Sequence, residues 1–118
     1  MQEKKKIVII DDEIDLGQLL KGYFHRNNFD VHVFHSLKEG LSSLKSIHPD
    51  IVLIDNNFPD GNGWTAVPAL ANDFPNVHIA LISAFNATPP ELPSGRNFHI
   101  IEKPIRFSDL DKFMASIT

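Results

Sequence analysis

The chain has 118 residues, of which 42% are hydrophobic and 22% are charged, and its formal net charge is -4 at pH 7. These proportions are typical of one soluble globular domain, so we expect a single domain over residues 1–118. The absence of cysteine excludes disulfides, thiolate metal sites and a cysteine nucleophile. The net charge gives no reason to expect direct binding of nucleic acid or an anionic membrane, and no apolar run is long enough to span a bilayer. We therefore expect a cytoplasmic protein.

Five short apolar runs along the chain are predicted to be strands. The runs are residues 7–10, 31–34, 51–54, 77–82 and 98–101. Three of them are almost continuously apolar, which is typical of strands that are covered on both faces of a parallel sheet.

Four segments carry apolar residues at helical spacing. The four stripes are Leu16, Leu19, Leu20, Tyr23 and Phe24; Leu37, Leu41 and Leu44; Trp64, Val67, Ala71 and Phe74; and Leu110, Phe113, Met114 and Ile117. Ser36, Asn62 and Ser108 are the predicted capping residues, and Pro68 should kink the third helix or delay its start. Alternating strands and helices predict an α/β fold, with a doubly wound parallel sheet that has helices on both faces.

A proline-rich segment, residues 85–95, lies between the fourth and fifth strands, where a helix is due. Pro89, Pro90 and Pro93 each remove a backbone donor and restrict the preceding residue. We therefore expect this helix to be shortened or replaced by a loop.

Polar residues follow four of the predicted strands. Asp11 and Asp12 follow the first, Asp55 the third, Ser83 the fourth and Lys103 the fifth, and the carboxyl ends of parallel strands meet at one edge of the sheet. Three acids at one edge repel one another and would raise each other's pKa values. A bound divalent cation would have the opposite effect. All the candidate ligand atoms are oxygens, which favours Mg²⁺ over zinc. With Lys103 and Ser83 as partners for phosphoryl oxygens, the site predicts phosphoryl transfer onto Asp55.

Each of these residues also has an ordinary structural interpretation. Asp11 and Asp12 could cap the first helix, and for the pair alone this is as plausible as metal binding. Glu13 and Glu102 are interpreted as structural or supporting residues. The six histidines show no ligand spacing along the chain and are interpreted as scattered surface or packing residues.

Four motifs in order resemble the receiver domains of two-component response regulators. They are VIIDDE, IVLIDNNFPDGNG, LISA and EKP, at the ends of the first, third, fourth and fifth strands. The resemblance covers essentially the whole chain and implies a flavodoxin-like sheet of order 2-1-3-4-5.

The resemblance also implies a role for each matching residue. Asp55 is the implied phosphoacceptor, Ser83 and Lys103 contact the phosphoryl group, and a cis peptide bond precedes Pro104. The implied magnesium ligands are Asp11, Asp12, Asp55 and the backbone carbonyl of Asn57. The implied donor is a histidine kinase or phosphotransfer protein, and the signal passes to a downstream protein or to a fused output domain outside this chain. Only self-phosphorylation and self-dephosphorylation are expected, with no independent substrate.

One position departs from the receiver pattern. Ile100 stands three residues before Lys103, where the family usually has Tyr or Phe, so the usual aromatic reporter of phosphorylation is missing. Phe98 or His99 could substitute for it, but strand alternation places His99 on the face opposite Ile100. Together with the prolines, this leaves open a pseudo-receiver that binds partners but does not switch.

An enzyme is the other alternative. Magnesium-dependent phosphatases of the haloacid dehalogenase type use a similar set of residues around an aspartyl nucleophile. They need a second Asp two residues after it, and this chain has Asn57 there. Their acidic pair also comes late in the chain, whereas Asp11 and Asp12 come first.

Overall fold

The computed structural model describes residues 4–84 and 98–117. A parallel sheet of five strands forms the centre of the molecule, in the order β2-β1-β3-β6-β7. The strands in chain order are β1 (Lys6–Ile10), β2 (Asp30–Phe34), β3 (Ile51–Asp55), β4 (Asn57–Phe58), β5 (Gly61–Asn62), β6 (His78–Ser83) and β7 (Phe98–Glu102). Counting only the five sheet strands, this confirms the predicted order 2-1-3-4-5. The short β4 and β5 form a separate antiparallel pair that the sequence pattern did not predict.

The helices cover both faces of this sheet. They are α1 (Ile14–Arg26), α2 (Leu37–Ile47), α3 (Val67–Asp73), which follows a 3-10 turn over Gly63–Ala66, and α4 (Phe107–Ile117). The proline-rich segment, predicted to take the place of a further helix, lies outside the described residues. None of the described helices has the length and apolar character that crossing a bilayer requires.

Two hydrophobic clusters, one on each face of the sheet, form the core. Ile9 of β1 belongs to the cluster that contains Phe24 of α1 and Leu110 of α4. The next residue, Ile10, points the other way, into the cluster that contains Leu44 of α2 and residues of α3. All five residues of β3 are buried, which confirms the prediction from its continuous apolar run.

Two of the three predicted caps are present. Ser36 Oγ accepts a hydrogen bond from the Glu39 N–H at 3.2 Å, at the start of α2. Asn62 Oδ1 accepts one from the Trp64 N–H at 3.0 Å, at the start of the 3-10 turn. Pro68 lies in the first turn of α3, where its missing N–H has no intrahelical partner to lose, so it delays the α-helix as predicted.

Two details of the predicted helices were wrong. Ser108 lies inside α4, and the start of that helix is fixed instead by Asp109, whose carboxylate accepts from the Arg106 N–H at 3.0 Å. Leu19 was assigned to the buried stripe of α1, yet it is 43% exposed. The buried face of α1 therefore includes fewer residues than the apolar stripe predicted from the sequence.

Candidate functional site

The carboxyl edge of the sheet carries the buried polar side chains of the described core. Asp55 is the last residue of β3 and is only 4% exposed, and Ser83, the last residue of β6, is 3% exposed. Asp11 follows β1 directly and is completely buried. Because β1, β3 and β6 are adjacent and parallel, their register brings these residues to one place.

Three carboxylates converge at this edge. Asp11, Asp12 and Asp55 each offer one oxygen, and these atoms all lie within 4.8 Å of one another. Asp12 is exposed, so the cluster opens to solvent on its side. The set of ligands is hard, anionic and incompletely buried, which suits a magnesium ion that retains several waters.

Asp11 is the most deeply buried member of this group. Its Oδ1 accepts a hydrogen bond from the Glu13 N–H at 2.8 Å, while its buried Oδ2 has no hydrogen-bond partner in the described structure. Burial raises the pKa of Asp11 to about 6; the Glu13 N–H opposes this rise and the charge of Asp55 adds to it. A buried carboxylate oxygen without a partner is costly, so the site favours a cation or a proton there.

Helix capping does not account for the acidic pair. The N-cap position of α1 is Glu13, and it makes no side-chain cap hydrogen bond. Asp11 instead accepts from the N–H of Glu13 itself, and the carboxylate of Asp12 lies with those of Asp11 and Asp55. Both carboxylates therefore belong to the acidic cluster, and metal binding by the pair remains a prediction.

Lys103 provides the cation of the site. Its Nζ lies 3.5 Å from Asp55 Oδ1 and 3.5 Å from Glu13 Oε2. Burial acts to lower the pKa of Lys103, but the attraction of Asp55, followed by those of Asp11 and Glu13, outweighs it and raises the pKa. For Asp55, burial prevails over the attraction of Lys103, and the pKa is raised. One ammonium group therefore does not fully compensate the acids around it.

The position of Lys103 is fixed by its backbone. Its N–H donates to the Ser83 carbonyl at 2.7 Å, and the peptide bond between Lys103 and Pro104 is cis, as the resemblance implied. The Ser83 hydroxyl donates to the carbonyl of Ala84 at 3.0 Å. Ser83 and Lys103 thus reach the edge next to Asp55 from the two strands β6 and β7.

The loop after Asp55 is held tightly against the strand. The Gly63 N–H donates to the Asn56 carbonyl at 2.8 Å, and the Trp64 N–H donates to Asn56 Oδ1 at 3.2 Å. A Cβ at position 63 would lie 2.1 Å from the backbone oxygen of Asp55, so only glycine fits there. Asn57 begins β4 with an exposed side chain, and the metal-binding role of its carbonyl remains a prediction.

Two residues in contact with the site were missed by sequence reasoning. Glu13 was interpreted only as a structural or supporting residue, yet its carboxylate lies next to Lys103. His35, which follows β2, places Nδ1 at 2.9 Å from the backbone oxygen of Asp11. The position of Glu13 beside the acidic pair was an available signal, whereas the contact of His35 depends on the pairing of β1 with β2.

Asp11→Asn is expected to stabilise the metal-free protein at pH 7.5 by about 2–3 kcal/mol, since each pKa unit corresponds to about 1.4 kcal/mol. The folded pKa of Asp11 lies above its unfolded value of 3.8, so its contribution to stability is lost as the pH rises through about 6. Urea unfolding in EDTA should therefore show a gain for Asp11→Asn that is about half as large at pH 5 as at pH 7.5. Asp73→Asn, at an exposed position, is the control, and an equal gain at both pH values would contradict the assignment.

Comparison with known proteins decides the family. Residues 7–115 match the profile of the response regulator receiver domain. The chain belongs to the response regulator receiver family. This confirms the resemblance stated from its four motifs, and it places the chain in two-component signalling, a family whose receiver domains are generally signalling modules.

Similar curated proteins are response regulators. The response regulator protein PilR of Pseudomonas aeruginosa is 27% identical over 115 residues, which cover 96% of this chain and 26% of PilR. The regulatory protein AtoC of Escherichia coli is 25% identical, over 90% of this chain and 23% of AtoC. The DNA-binding response regulator MtrA of Mycobacterium leprae is 27% identical, over 91% of this chain and 48% of MtrA. The chain thus spans between 23% and 48% of the length of these relatives.

Solved receiver structures share the fold. The chemotaxis response regulator CheY4 of Vibrio cholerae has a TM-score of 0.81 at 20% identity, with 98% of this chain and 100% of that chain covered. A CheY-like receiver domain from Methylobacillus flagellatus has a TM-score of 0.79 at 23% identity, with 98% and 100% covered. These neighbours confirm the predicted flavodoxin-like α/β architecture of the receiver.

Ile100, which stands where the family usually has an aromatic residue, has an exposed side chain in this receiver. Ile100 is 52% exposed. The ring of His99 instead packs edge-on against Phe113 of α4, with 5.0 Å between the ring centroids, and Phe98 packs against the cluster on the other face. The alternation predicted for β7 is therefore confirmed, and His99 cannot take the place of an aromatic residue at position 100.

Proposed function

We propose that this receiver stores a phosphoryl group on Asp55 and that the acyl phosphate is its signalling state. The observation that supports this most strongly is the buried Asp55 carboxylate, which has two further carboxylates within 4.8 Å and the Lys103 ammonium at 3.5 Å. A carboxylate with a raised pKa that sits beside a cation and a metal-type cluster is suited to nucleophilic attack on phosphorus.

The residues present fit a magnesium ion. Asp11 offers a buried oxygen that has no hydrogen-bond partner in the described structure, and burial, with a smaller contribution from the charge of Asp55, raises the pKa of this group. Asp11, Asp12 and Asp55, together with the carbonyl of Asn57, are the proposed ligands. When bound, Mg²⁺ neutralises these carboxylates and offers coordination positions to phosphoryl oxygens.

The protein groups then have distinct tasks in the transfer. One oxygen of Asp55 attacks the phosphorus of a phosphohistidine, the O–P bond forms, and the bond from phosphorus to the imidazole nitrogen breaks as the imidazole leaves. The Lys103 ammonium, already beside Asp55, pairs with a phosphoryl oxygen. The Ser83 hydroxyl turns away from the Ala84 carbonyl and donates to another oxygen, which couples the end of β6 to the phosphoryl group.

The partners follow from this chemistry. The proposed donor is a sensor histidine kinase or a phosphotransfer protein, and the recipient of the signal is a downstream protein or an output domain outside this chain. MtrA is named as DNA-binding, but this chain spans less than half of it. We propose no direct nucleic-acid contact for these residues, and we place this single receiver domain, residues 1–118, in the cytoplasm.

The proposal is tested with a small phosphoryl donor. Incubation with acetyl phosphate and Mg²⁺ should add the mass of one phosphoryl group to the intact protein, and EDTA should prevent the gain because the carboxylates then repel the donor. Intact-protein mass spectrometry under mild conditions is the readout. If no phosphoryl mass appears with Mg²⁺, or if EDTA makes no difference, the proposal is wrong.

A further inference from the structure

Two histidines meet at the end of the sheet opposite to the acidic cluster. His78 is the first residue of β6 and His99 the second of β7, and these strands are adjacent and parallel. His78 Nδ1 lies 3.4 Å from His99 Nε2, and both side chains are partly buried. With about 3.3 Å of rise per residue, the length of β6 places this pair roughly 16 Å from Ser83 at the phosphorylation edge.

The separation of the two nitrogens matches a chelate better than a hydrogen bond. A distance of 3.4 Å is beyond the usual range of about 2.7–3.2 Å for N–H donors in proteins. Two imidazole nitrogens bound to one tetrahedral zinc ion at about 2.0–2.1 Å stand about 3.3–3.4 Å apart. We propose that His78 and His99 form a two-histidine site for Zn²⁺, separate from the magnesium site and independent of the phosphoryl chemistry.

The surroundings of His99 support this role. Ser116 Oγ lies 3.4 Å from His99 Nδ1 and donates its own proton to the Phe113 carbonyl at 2.7 Å, so it is free to accept from Nδ1–H. A proton on Nδ1, on the side of this oxygen, would leave the lone pair of Nε2 facing His78, and histidine ligands of metals commonly have an oxygen partner on the other ring nitrogen. The edge-on contact with the Phe113 ring holds the imidazole plane in place.

The surroundings of both imidazoles also shift their pKa values in the direction that favours metal binding. Burial lowers the pKa of His78; Lys5 adds to this effect and Asp50 opposes it. Burial, followed by the neighbouring His78, lowers the pKa of His99. The lowered pKa of each ring favours the neutral imidazole, which is the form that binds a metal ion.

The two histidines favour one class of metal ion, but they supply too few ligands to complete its coordination. Two imidazoles suit zinc and other late transition metals, whereas the all-oxygen acidic cluster suits magnesium. Among the described residues, the acidic cluster is the only group of three potential side-chain ligands, so the histidine pair supplies two ligands and water must complete the coordination. A bound ion would tie β6 to β7 beneath the last turns of α4.

The test is a calorimetric titration of the full chain with Zn²⁺ at pH 7.5, in a large excess of Mg²⁺ that occupies the acidic cluster. His78→Gln and His99→Gln should each weaken zinc binding about tenfold or more, and His25→Gln, at an exposed position of α1, should leave it unchanged. Equal affinity for all variants, or loss of zinc binding in Mg²⁺, overturns the proposal.

A second readout needs no substitution, which matters because His99 packs against α4. In the parent protein, the ring nitrogens of His78 and His99 should shift together in nitrogen-15 NMR as Zn²⁺ is added, while those of His25 stay in place. A shift of only one of the two rings, or of neither, would show that the pair is an ordinary packing contact.

Discussion

The Asp55→Asn variant is expected to take up no phosphoryl group from acetyl phosphate, under conditions in which the parent receiver is phosphorylated. Asparagine has nearly the same shape as aspartate, but its neutral amide oxygen is a poor nucleophile and a weak magnesium ligand. Asp55 is almost completely buried at the end of β3, and its carboxylate is the one in the cluster that lies 3.5 Å from the Lys103 ammonium. Intact-protein mass spectrometry measures the loss.

The control for this variant is Asp73→Asn, at an exposed position at the end of α3. It removes the same charge and should be phosphorylated like the parent. If Asp55→Asn gains a phosphoryl group at the parental level, the acceptor is another residue, and the role assigned to the acidic cluster is wrong. If Asp73→Asn also loses phosphorylation, net charge rather than the site controls the reaction.

Gly63→Ala is expected to destabilise the protein by at least about 3 kcal/mol, the upper range for forcing an extra methyl group into a packed site. The added Cβ would lie 2.1 Å from the Asp55 backbone oxygen and 3.1 Å from atoms of both Ile54 and Phe58. The closest of these is a backbone atom, so the conflict cannot be relieved by turning a side chain. Relief requires movement of the strand end that carries Asp55, the proposed phosphoacceptor.

Gly22→Ala is the matched control for this substitution. Gly22 lies in α1, and its added Cβ would meet only the far end of the Arg26 side chain at 3.3 Å. This change should stabilise the protein by about 0.5–1 kcal/mol, because alanine is the better helix former. Urea unfolding of the two variants measures the difference, and similar stabilities would contradict the close packing at position 63.

The fold was largely predictable because its local signals agree with its tertiary structure. Continuous apolar runs correspond to strands covered on both faces, and β3 is buried along its whole length. Ser36 and Asn62 cap their helices as predicted. Such a cap joins a side chain to a backbone N–H two or three residues later, so the sequence of a short segment is enough to predict it. The site was predictable for a related reason, because parallel strands bring their carboxyl ends to one edge.

The wrong predictions for the helices concern contacts that the spacing of residues along the chain does not reveal. The carboxylate of Asp109 fixes the start of α4 by accepting from the Arg106 N–H, and nothing in a capping-type Ser108 reveals this. Leu19 fits the apolar stripe of α1 but is 43% exposed, since the stripe is wider than the surface that α1 covers.

The contact between His78 and His99 was also not predictable from the sequence, because it joins two strands. His78 and His99 are 21 residues apart and have no ligand spacing along the chain. They meet because β6 and β7 pair in a register that sets Ala80 opposite His99. Only the strand register, which no single segment specifies, brings the two rings together.

The central claim, that Asp55 is the phosphoacceptor of a magnesium-dependent switch, is tested most directly by a crystal structure with Mg²⁺ and beryllium fluoride, a mimic of the acyl phosphate. We predict beryllium on an Asp55 carboxylate oxygen, magnesium on Asp11, Asp12 and Asp55, Lys103 paired with a fluoride, and the Ser83 hydroxyl turned away from Ala84. Beryllium bound elsewhere, or a site that stays as it is in the free protein, would contradict the account.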